Sequence, residues 1–263
     1  MMQQYPEAAP VRDGRALERL DGLDALVRDA AIARGAREVQ YPVLVARQAL
    51  ERAEYSRAFP HLLMSASCAN GRTEADAPEW SGPHEPTEWC LSPAVCYHTY
   101  VDLAGCVVHR PMIVTARGRC FRHERHTAPG IRQVEFEMRE VVLVGPRAWV
   151  DDSAETIARD IEGLARGVGL CGTWETAEDP FFLPVASGKA LMQRMMRLKL
   201  EYVLCGDRLP VASVNRHGTF FADRFHITTP DGAPAYTACV AVGLDRWCRH
   251  ARADAAEDSD DLR

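Results

Sequence analysis

The feature that most constrains the fold is a set of β-rich segments around a short polar loop. Segments 107–115, 119–123 and 133–145 are rich in valine, isoleucine and phenylalanine, whereas the loop at 125–130 reads RHTAPG. Strand-forming residues on both sides of a loop with proline and glycine predict a long antiparallel hairpin with a flexible tip. The fold is therefore expected to contain an antiparallel sheet.

The rest of the chain mixes helical and strand patterns. Leu17, Leu20, Leu23, Val27 and Ala31 recur at steps of three and four, and Gly35 is a suitable stop. The predicted helices cover 15–34, 44–54, a segment that starts at Asp152 with Glu155 as its capping-box partner, 187–205, and a short segment from Leu244. Further strands are predicted at 38–43, where Pro42 favours an edge or an interface, and at 211–216 and 236–242. This pattern indicates an α+β domain.

Composition limits the classes of function. The chain has 263 residues, 47% of them hydrophobic, so we expect one large domain over 15–250, between a disordered segment at 1–14 and an acidic tail at 251–263. Its net charge of −6 disfavours wrapping of a nucleic acid. No apolar run approaches the roughly 20 residues of a membrane helix. No secretory signal is visible, and 9 scattered cysteines without a C-x-x-C pair indicate reduced thiols in a cytoplasm.

Two other functions, dinucleotide binding and nucleophilic catalysis by a Cys–His pair, have little support in the sequence. The string GVGLCG at 167–172 matches the dinucleotide fingerprint, yet it follows a predicted helix rather than a strand, so its glycines are better explained as a helix stop and a turn. No P-loop string is present. Nothing local supports a Cys–His nucleophilic pair, although such partners are distant in sequence.

The two arms of the predicted hairpin carry a spaced motif, CFRHE at 120–124 and IRQVEFEMRE at 131–140. It resembles motif 2 of the class II aminoacyl-tRNA synthetases of the seryl type, which reads F-R-x-E, a loop, then R-x-x-x-F-x-x-x-E. The matching residues are Phe121, Arg122, Glu124, Arg132, Phe136 and Glu140. An ordinary hairpin with alternating charges is the alternative, but it would not require this combined spacing.

The resemblance implies an ATP site. Arg122 would hold the α-phosphate and the amino-acid carboxylate, Glu124 the adenine amino group, and Arg132 the terminal phosphates. Phe136 would stack on adenine. Fixed cations are suited to this reaction because adenylate formation redistributes phosphate charge.

Other family elements follow in the expected order. The string GLDR at 243–246 resembles motif 3, whose arginine, here Arg246, would cover the other face of adenine and reach the γ-phosphate. The first predicted helix and Pro42 resemble motif 1, which builds a homodimer interface in the family. VASVN at 211–215 resembles a seryl-type strand, which implies a role for Asn215 in ATP binding. The family's Mg²⁺-binding glutamate is replaced here by Leu209 and Pro210, so the Mg²⁺ ligands stay unassigned.

The resemblance also implies a zinc ion. In the archaeal seryl type the amino group of the substrate binds Zn²⁺, and the family's ligands match Cys96, Glu140 and Cys239. Three protein ligands with one open position are typical of a catalytic zinc site rather than a structural one. The alternative is a group of buried thiols and a carboxylate without metal. Glu140 and Lys199 are also implied as substrate-binding residues.

No heptad run precedes Pro42, so the long tRNA-gripping arm of seryl synthetases is not expected. The chain resembles truncated homologues that load amino acids onto carrier proteins. Strings that support this are AFPHL at 58–62, DPFF at 179–182 and KLE at 199–201. The resemblance implies that glycine or alanine is activated with ATP and passed to the phosphopantetheine thiol of a carrier protein, with no tRNA. The basic helix predicted at 187–205 is the candidate docking surface. The alternatives are a tRNA ligase with a separate tRNA-binding subunit and a non-catalytic binding paralogue.

Overall fold

In the computed structural model, residues 11–69, 84–177 and 198–252 are described. The strands are β1 Arg37–Glu38, β2 Leu44–Ala46, β3 Ser65–Ala69, β4 His84–Leu91, β5 Met112–Phe121, β6 Glu135–Gly145, β7 Gly172–Thr176, β8 Lys199–Leu204, β9 Pro210–Gly218 and β10 Tyr236–Gly243. The helices are α1 Gly14–Ala33, α2 Arg47–Arg52, α3 Tyr55–Ala58, α4 Cys96–Asp102, α5 Arg147–Gly167, α6 Phe220–Phe225 and α7 Leu244–His250.

A seven-stranded sheet in the order β1-β5-β6-β10-β9-β8-β7 forms the centre of the fold, and β2, β4 and β3 form a small second sheet. Strand β1 runs parallel to β5, whereas the other described pairings of the large sheet are antiparallel. The predicted hairpin is confirmed as β5–β6, paired from Met112↔Val144 to Phe121↔Glu135. Segments 107–115 and 119–123 were predicted as two strands, but β5 runs without a break across the interval between them.

The large sheet has two differently covered faces. Helices α1, α5 and α7 pack on one face, where Leu20, Ile161 and Trp247 are fully buried. Helices α4 and α6 lie on the other face, where Tyr100 and Phe225 pack with the inward side chains of β6 and β10. Because side chains alternate along a strand, every second residue of the central strands faces α4 and α6.

The predicted helix at 187–205 is wrong over its last third. Residues 199–204 form β8, and the first part of the prediction lies outside the described residues. Leu198 and Tyr202 fit a helical spacing, but Leu200, Tyr202 and Leu204 also alternate, as a strand requires. Pairing of β8 with both β7 and β9 satisfies its backbone groups and overrides the helical pattern.

Several predicted boundaries are also corrected. Helix α5 begins at Arg147 after Pro146, so Asp152 lies inside the helix rather than at its start. The strand predicted at 38–43 ends at Glu38, and residues 44–46 form β2 before α2 begins. Helix α1 confirms its prediction, although Leu17 is exposed, and Gly35 follows it with a φ of +86°. The glycines at 167–172 end α5 and start β7, which agrees with a helix stop and a turn.

Residues just before α1 contact the sheet, although they belong to the segment 1–14 that was predicted to be disordered. Arg12 forms ion pairs with Glu137 at 2.9 Å and with Asp245. Asp13 caps α1 by accepting a hydrogen bond from the backbone N–H of Ala16 at 2.9 Å. Within the described part of the chain, no helix is both long and apolar enough to cross a bilayer.

Candidate active site and metal centre

Three potential metal ligands meet on the sheet face below α4. The sulfur atoms of Cys96 and Cys239 and a carboxylate oxygen of Glu140 all lie within 4.8 Å of one another, and all three residues are buried. Cys96 begins α4, Glu140 lies on β6 and Cys239 lies on β10. The fold therefore brings together the three residues that the resemblance predicted as zinc ligands.

Strand register explains how such distant residues meet. Ala241 pairs with Glu140 across β10 and β6, and Cys239 lies two residues from Ala241 on the same face. On the other side Glu140 pairs with Ala116 of β5. Small neighbours on both flanking strands leave space above the carboxylate for other ligands.

A close loop approach completes the group. A Cβ built on Gly118 of β5 would lie 2.9 Å from a methyl carbon of Val95, so the glycine allows the loop before α4 to pack against the strand. The backbone N–H of Val95 donates to Oε1 of Glu140 at 2.9 Å. This hydrogen bond orients the carboxylate, and Cys96 follows directly in the chain.

The electrostatics of the group fit a bound cation. Oε2 of Glu140 is buried and has no hydrogen-bond partner, and burial raises the pKa of this carboxyl group. A hydrogen bond with Cys239, together with burial and the charge of Glu140, raises the pKa of the Cys96 thiol well above its usual range. The charge of Arg122 offsets only part of the effect of burial on the Glu140 carboxyl group, whose pKa stays raised. Two buried cysteines with a carboxylate form a ligand set that suits Zn²⁺.

Arginine side chains surround the adjacent surface. Nε of Arg122 donates to the Pro93 carbonyl at 3.1 Å, and its guanidinium lies 5.0 Å from the centre of the Phe136 ring. Arg246 donates to the carbonyls of Ile131 at 2.9 Å and Pro210 at 2.6 Å. Burial is the largest cause that lowers the pKa of Arg246, and the positive charge of Arg122 is the next. The charge of Arg132 lowers it less. Like charges held together in this way favour a polyanionic ligand.

The other predicted residues lie around these arginines. Glu124 follows β5 and forms an ion pair with the exposed Arg132 at 3.4 Å. Asn215 pairs with Cys239 across β9 and β10, and its amide donates to the Cys239 sulfur at 3.5 Å. Lys199 pairs with Asn215 across β8 and β9 and forms an ion pair with Glu201 at 3.0 Å.

Sequence reasoning missed three residues near the site. Glu201 pairs with Ser213 on the face of the sheet that holds the site. Its negative charge acts to raise the pKa of Arg246, so its carboxylate lies close to the arginines. His217 lies beside Cys239, and Tyr100 contacts His217. The alternation of β8 could have indicated Glu201, but no sequence signal marks Tyr100 or His217.

No protein-family model matches the chain. It is 32% identical over 248 residues to amino acid–[acyl-carrier-protein] ligase 1 of Bradyrhizobium diazoefficiens, covering 88% of this chain and 74% of that protein. It is 33% identical over 245 residues to ligase 2 of the same organism, covering 85% and 72%.

Among solved structures, the chain is similar to M. kandleri SerRS in complex with A. aeolicus tRNASec. The TM-score is 0.70 at 19% identity, covering 88% of this chain and about half, 51%, of that one. This likeness confirms the predicted fold, the catalytic domain of class II aminoacyl-tRNA synthetases. The chain belongs to the amino acid–[acyl-carrier-protein] ligase family and is an enzyme of that family.

Proposed function

We propose that the enzyme activates glycine or alanine with ATP as an aminoacyl-adenylate and transfers the aminoacyl group to the phosphopantetheine thiol of a carrier protein. The observation that carries this proposal is the buried group of Cys96, Glu140 and Cys239 beside a cluster of arginines. A site for an amine next to a site for phosphates matches the two ends of an aminoacyl-adenylate.

The arginines bind ATP in this proposal. Arg122 holds the α-phosphate, where the amino-acid carboxylate attacks and pyrophosphate leaves, and Arg132 and Arg246 hold the outer phosphates. Arg122 stacks on Phe136 at 5.0 Å, which leaves the other face of that ring for adenine. Glu124 accepts from the adenine amino group, and Asn215 and Lys199 contact the adenylate from β9 and β8. Glu201 is the candidate carboxylate for Mg²⁺.

Cys96, Glu140 and Cys239 would hold Zn²⁺, which supplies a Lewis acid for the substrate amine when it is bound. Burial raises the pKa of the Glu140 carboxyl group, and its Oε2 lacks a partner, so a cation would satisfy this oxygen. Cys96 and Cys239 also belong to the apolar cluster that contains Tyr100 and Phe221. A substrate whose amine binds at this group would pack against these large buried residues. This favours an amino acid whose side chain is no larger than a methyl group.

Transfer requires no protein nucleophile. The carrier thiol attacks the acyl carbon of the adenylate, the bond between that carbon and the phosphate oxygen breaks, and AMP leaves. We assign no carrier-docking surface, because the basic helix predicted at 187–205 is a strand over 199–204 and its residues 187–197 lie outside the described residues. We propose that the enzyme is a homodimer through the segment around Pro42, where Val43 and Leu44 are exposed.

The test is amino-acid-dependent exchange of pyrophosphate into ATP, followed by intact mass measurement of a phosphopantetheinylated carrier. We expect exchange with glycine or alanine and a mass gain of one aminoacyl group on the carrier. Exchange with none of the twenty amino acids would refute the proposal. Charging of tRNA without acylation of the carrier would instead indicate a tRNA ligase.

A further inference from the structure

We propose that His217 is a positioning residue that donates a hydrogen bond from its Nε2–H to the Cys239 sulfur and thereby tunes the metal centre. Nε2 of His217 lies 3.9 Å from Sγ of Cys239, and Nδ1 lies 3.0 Å from the Tyr100 hydroxyl. The inference rests on the proposed function, because it requires Cys239 to bind a metal.

The backbone places His217 in an unusual position. Strands β9 and β10 pair as Thr237↔Gly218 and Ala238↔Arg216, so His217 is an extra residue of β9 in a β-bulge. A bulge re-aims a side chain and is frequent beside active sites. The imidazole is held by the Phe221 ring, with 4.8 Å between ring centres and 72° between ring planes.

Chemistry fixes which nitrogen carries the proton. A thiolate that binds a metal has no proton to donate, so a hydrogen bond between it and Nε2 requires N–H at Nε2. A neutral imidazole then accepts at Nδ1, and Tyr100 is the matching donor. Tyr100 is fully buried, and burial raises the pKa of its hydroxyl well above the usual range, so the hydroxyl keeps its proton. Tyr100 thus donates to His217, and His217 in turn donates to Cys239.

His217 is not itself placed as a metal ligand. The group of ligand atoms within 4.8 Å of one another contains Cys96, Glu140 and Cys239, and His217 does not join it. The Cys239 sulfur also receives the Asn215 amide at 3.5 Å. Two N–H donors stabilise the buried anionic thiolate, which is the form that binds a metal, so loss of a donor weakens metal binding. They also reduce the charge that the thiolate gives to the metal, which favours binding of a neutral amine at the open position.

The experiment uses the full-length protein loaded with Co²⁺ in place of Zn²⁺, without substrate. In His217→Phe the ring packing is kept but the donor is lost. We expect the sulfur-to-cobalt charge-transfer band to move to lower energy and the Zn²⁺ affinity, measured by chelator competition, to fall about 10- to 100-fold. His217→Gln, which keeps an N–H donor, should restore most of both. His109→Gln, at an exposed histidine, is the matched control and should change neither.

Tyr100→Phe gives a second readout if His217→Phe does not fold. It frees the imidazole tautomer, so we expect a smaller band shift in the same direction. An unmoved band in a folded His217→Phe protein would overturn the role of His217 while leaving the metal centre intact. A wild-type protein that binds neither Co²⁺ nor Zn²⁺ would overturn both proposals. Direct Co²⁺ coordination by the His217 imidazole would overturn only the positioning role.

Discussion

The backbone N–H of Val95 donates to Oε1 of Glu140 at 2.9 Å, while Oε2 of the same carboxylate is buried without a partner. One oxygen is thus used for orientation, and the carboxylate lies with Cys96 and Cys239 in the candidate metal group. A buried carboxylate with an unsatisfied oxygen is costly unless a cation or a proton compensates it. The arrangement therefore links metal binding to stability at one residue.

Glu140→Gln separates these two roles. The glutamine can still accept from Val95, but it has no charge for a metal. We therefore expect the Zn²⁺ affinity to fall by more than about 100-fold, which is more than the loss of a residue that only orients a ligand would cause. Without metal, this variant should be at least as stable as the wild type, because a buried charge is removed. Urea unfolding in the presence of a chelator measures this, and a clearly less stable metal-free variant would contradict it.

Gly118→Ala tests the close approach of the loop before α4. The new Cβ would lie 2.9 Å from a methyl carbon of Val95, so the loop must shift and carry the Val95 amide away from Glu140. We expect a loss of about 1–3 kcal/mol in unfolding free energy and a lower Zn²⁺ affinity. The double variant Gly118→Ala/Val95→Ala removes the clash and should recover metal binding. Equal metal affinity in the wild type and Gly118→Ala would refute this explanation.

Arg122→Ala removes the cation that we assign to the α-phosphate. We expect pyrophosphate exchange to fall about 10²- to 10³-fold, as for loss of one preorganised donor to a developing charge. Arg122→Lys should rescue little, because an ammonium group cannot reproduce the planar contact over Phe136 or the bond to Pro93. Arg110→Ala, at an exposed arginine, is the control. Full exchange in Arg122→Ala would exclude the assigned role.

Two arginine–aspartate pairs of similar geometry allow a test of how burial changes the contribution of an ion pair to stability. Arg139 donates to Asp24 at 2.5 and 2.8 Å with both side chains buried, and Arg34 donates to Asp160 at 2.8 and 2.9 Å with its own side chain exposed. Asp24→Ala removes two hydrogen bonds from the buried guanidinium of Arg139 and leaves the exposed Glu38, at 3.0 Å, as its carboxylate partner. Its unfolding free energy should therefore fall by up to about 3–5 kcal/mol. Asp160→Ala should cost less than about 1 kcal/mol. Equal losses in denaturant titrations would show that burial does not control these pairs.

Much of the fold could be predicted from local patterns. The β5–β6 hairpin and α1 have strong alternation or helical spacing, and their predictions are confirmed. Strand β8 was mistaken for a helix because its apolar residues fit both periods, and only pairing with β7 and β9 decides between them. The start of α5 was missed because Pro146 provides the entry to the helix, with no side-chain cap to mark it.

The candidate metal ligands could be predicted only through resemblance to a family. Between Cys96, Glu140 and Cys239 lie 43 and 98 intervening residues, so no local spacing links them. Their meeting depends on the register of β6 with β10 and on the approach of Val95 to Gly118. His217 could not be found from sequence, because its orientation depends on a bulge that is defined only once β9 pairs with β10.

The most direct test of the central claim combines metal content with amino-acid activation in Cys239→Ala and in the wild type. The wild type should hold about one Zn²⁺ per chain, as a three-ligand site predicts. A chelator should abolish its glycine- or alanine-dependent pyrophosphate exchange, and added Zn²⁺ should restore it. Cys239→Ala should stay folded, hold no Zn²⁺ and show no exchange. Exchange at the wild-type rate by the metal-free, folded Cys239→Ala enzyme would contradict the account.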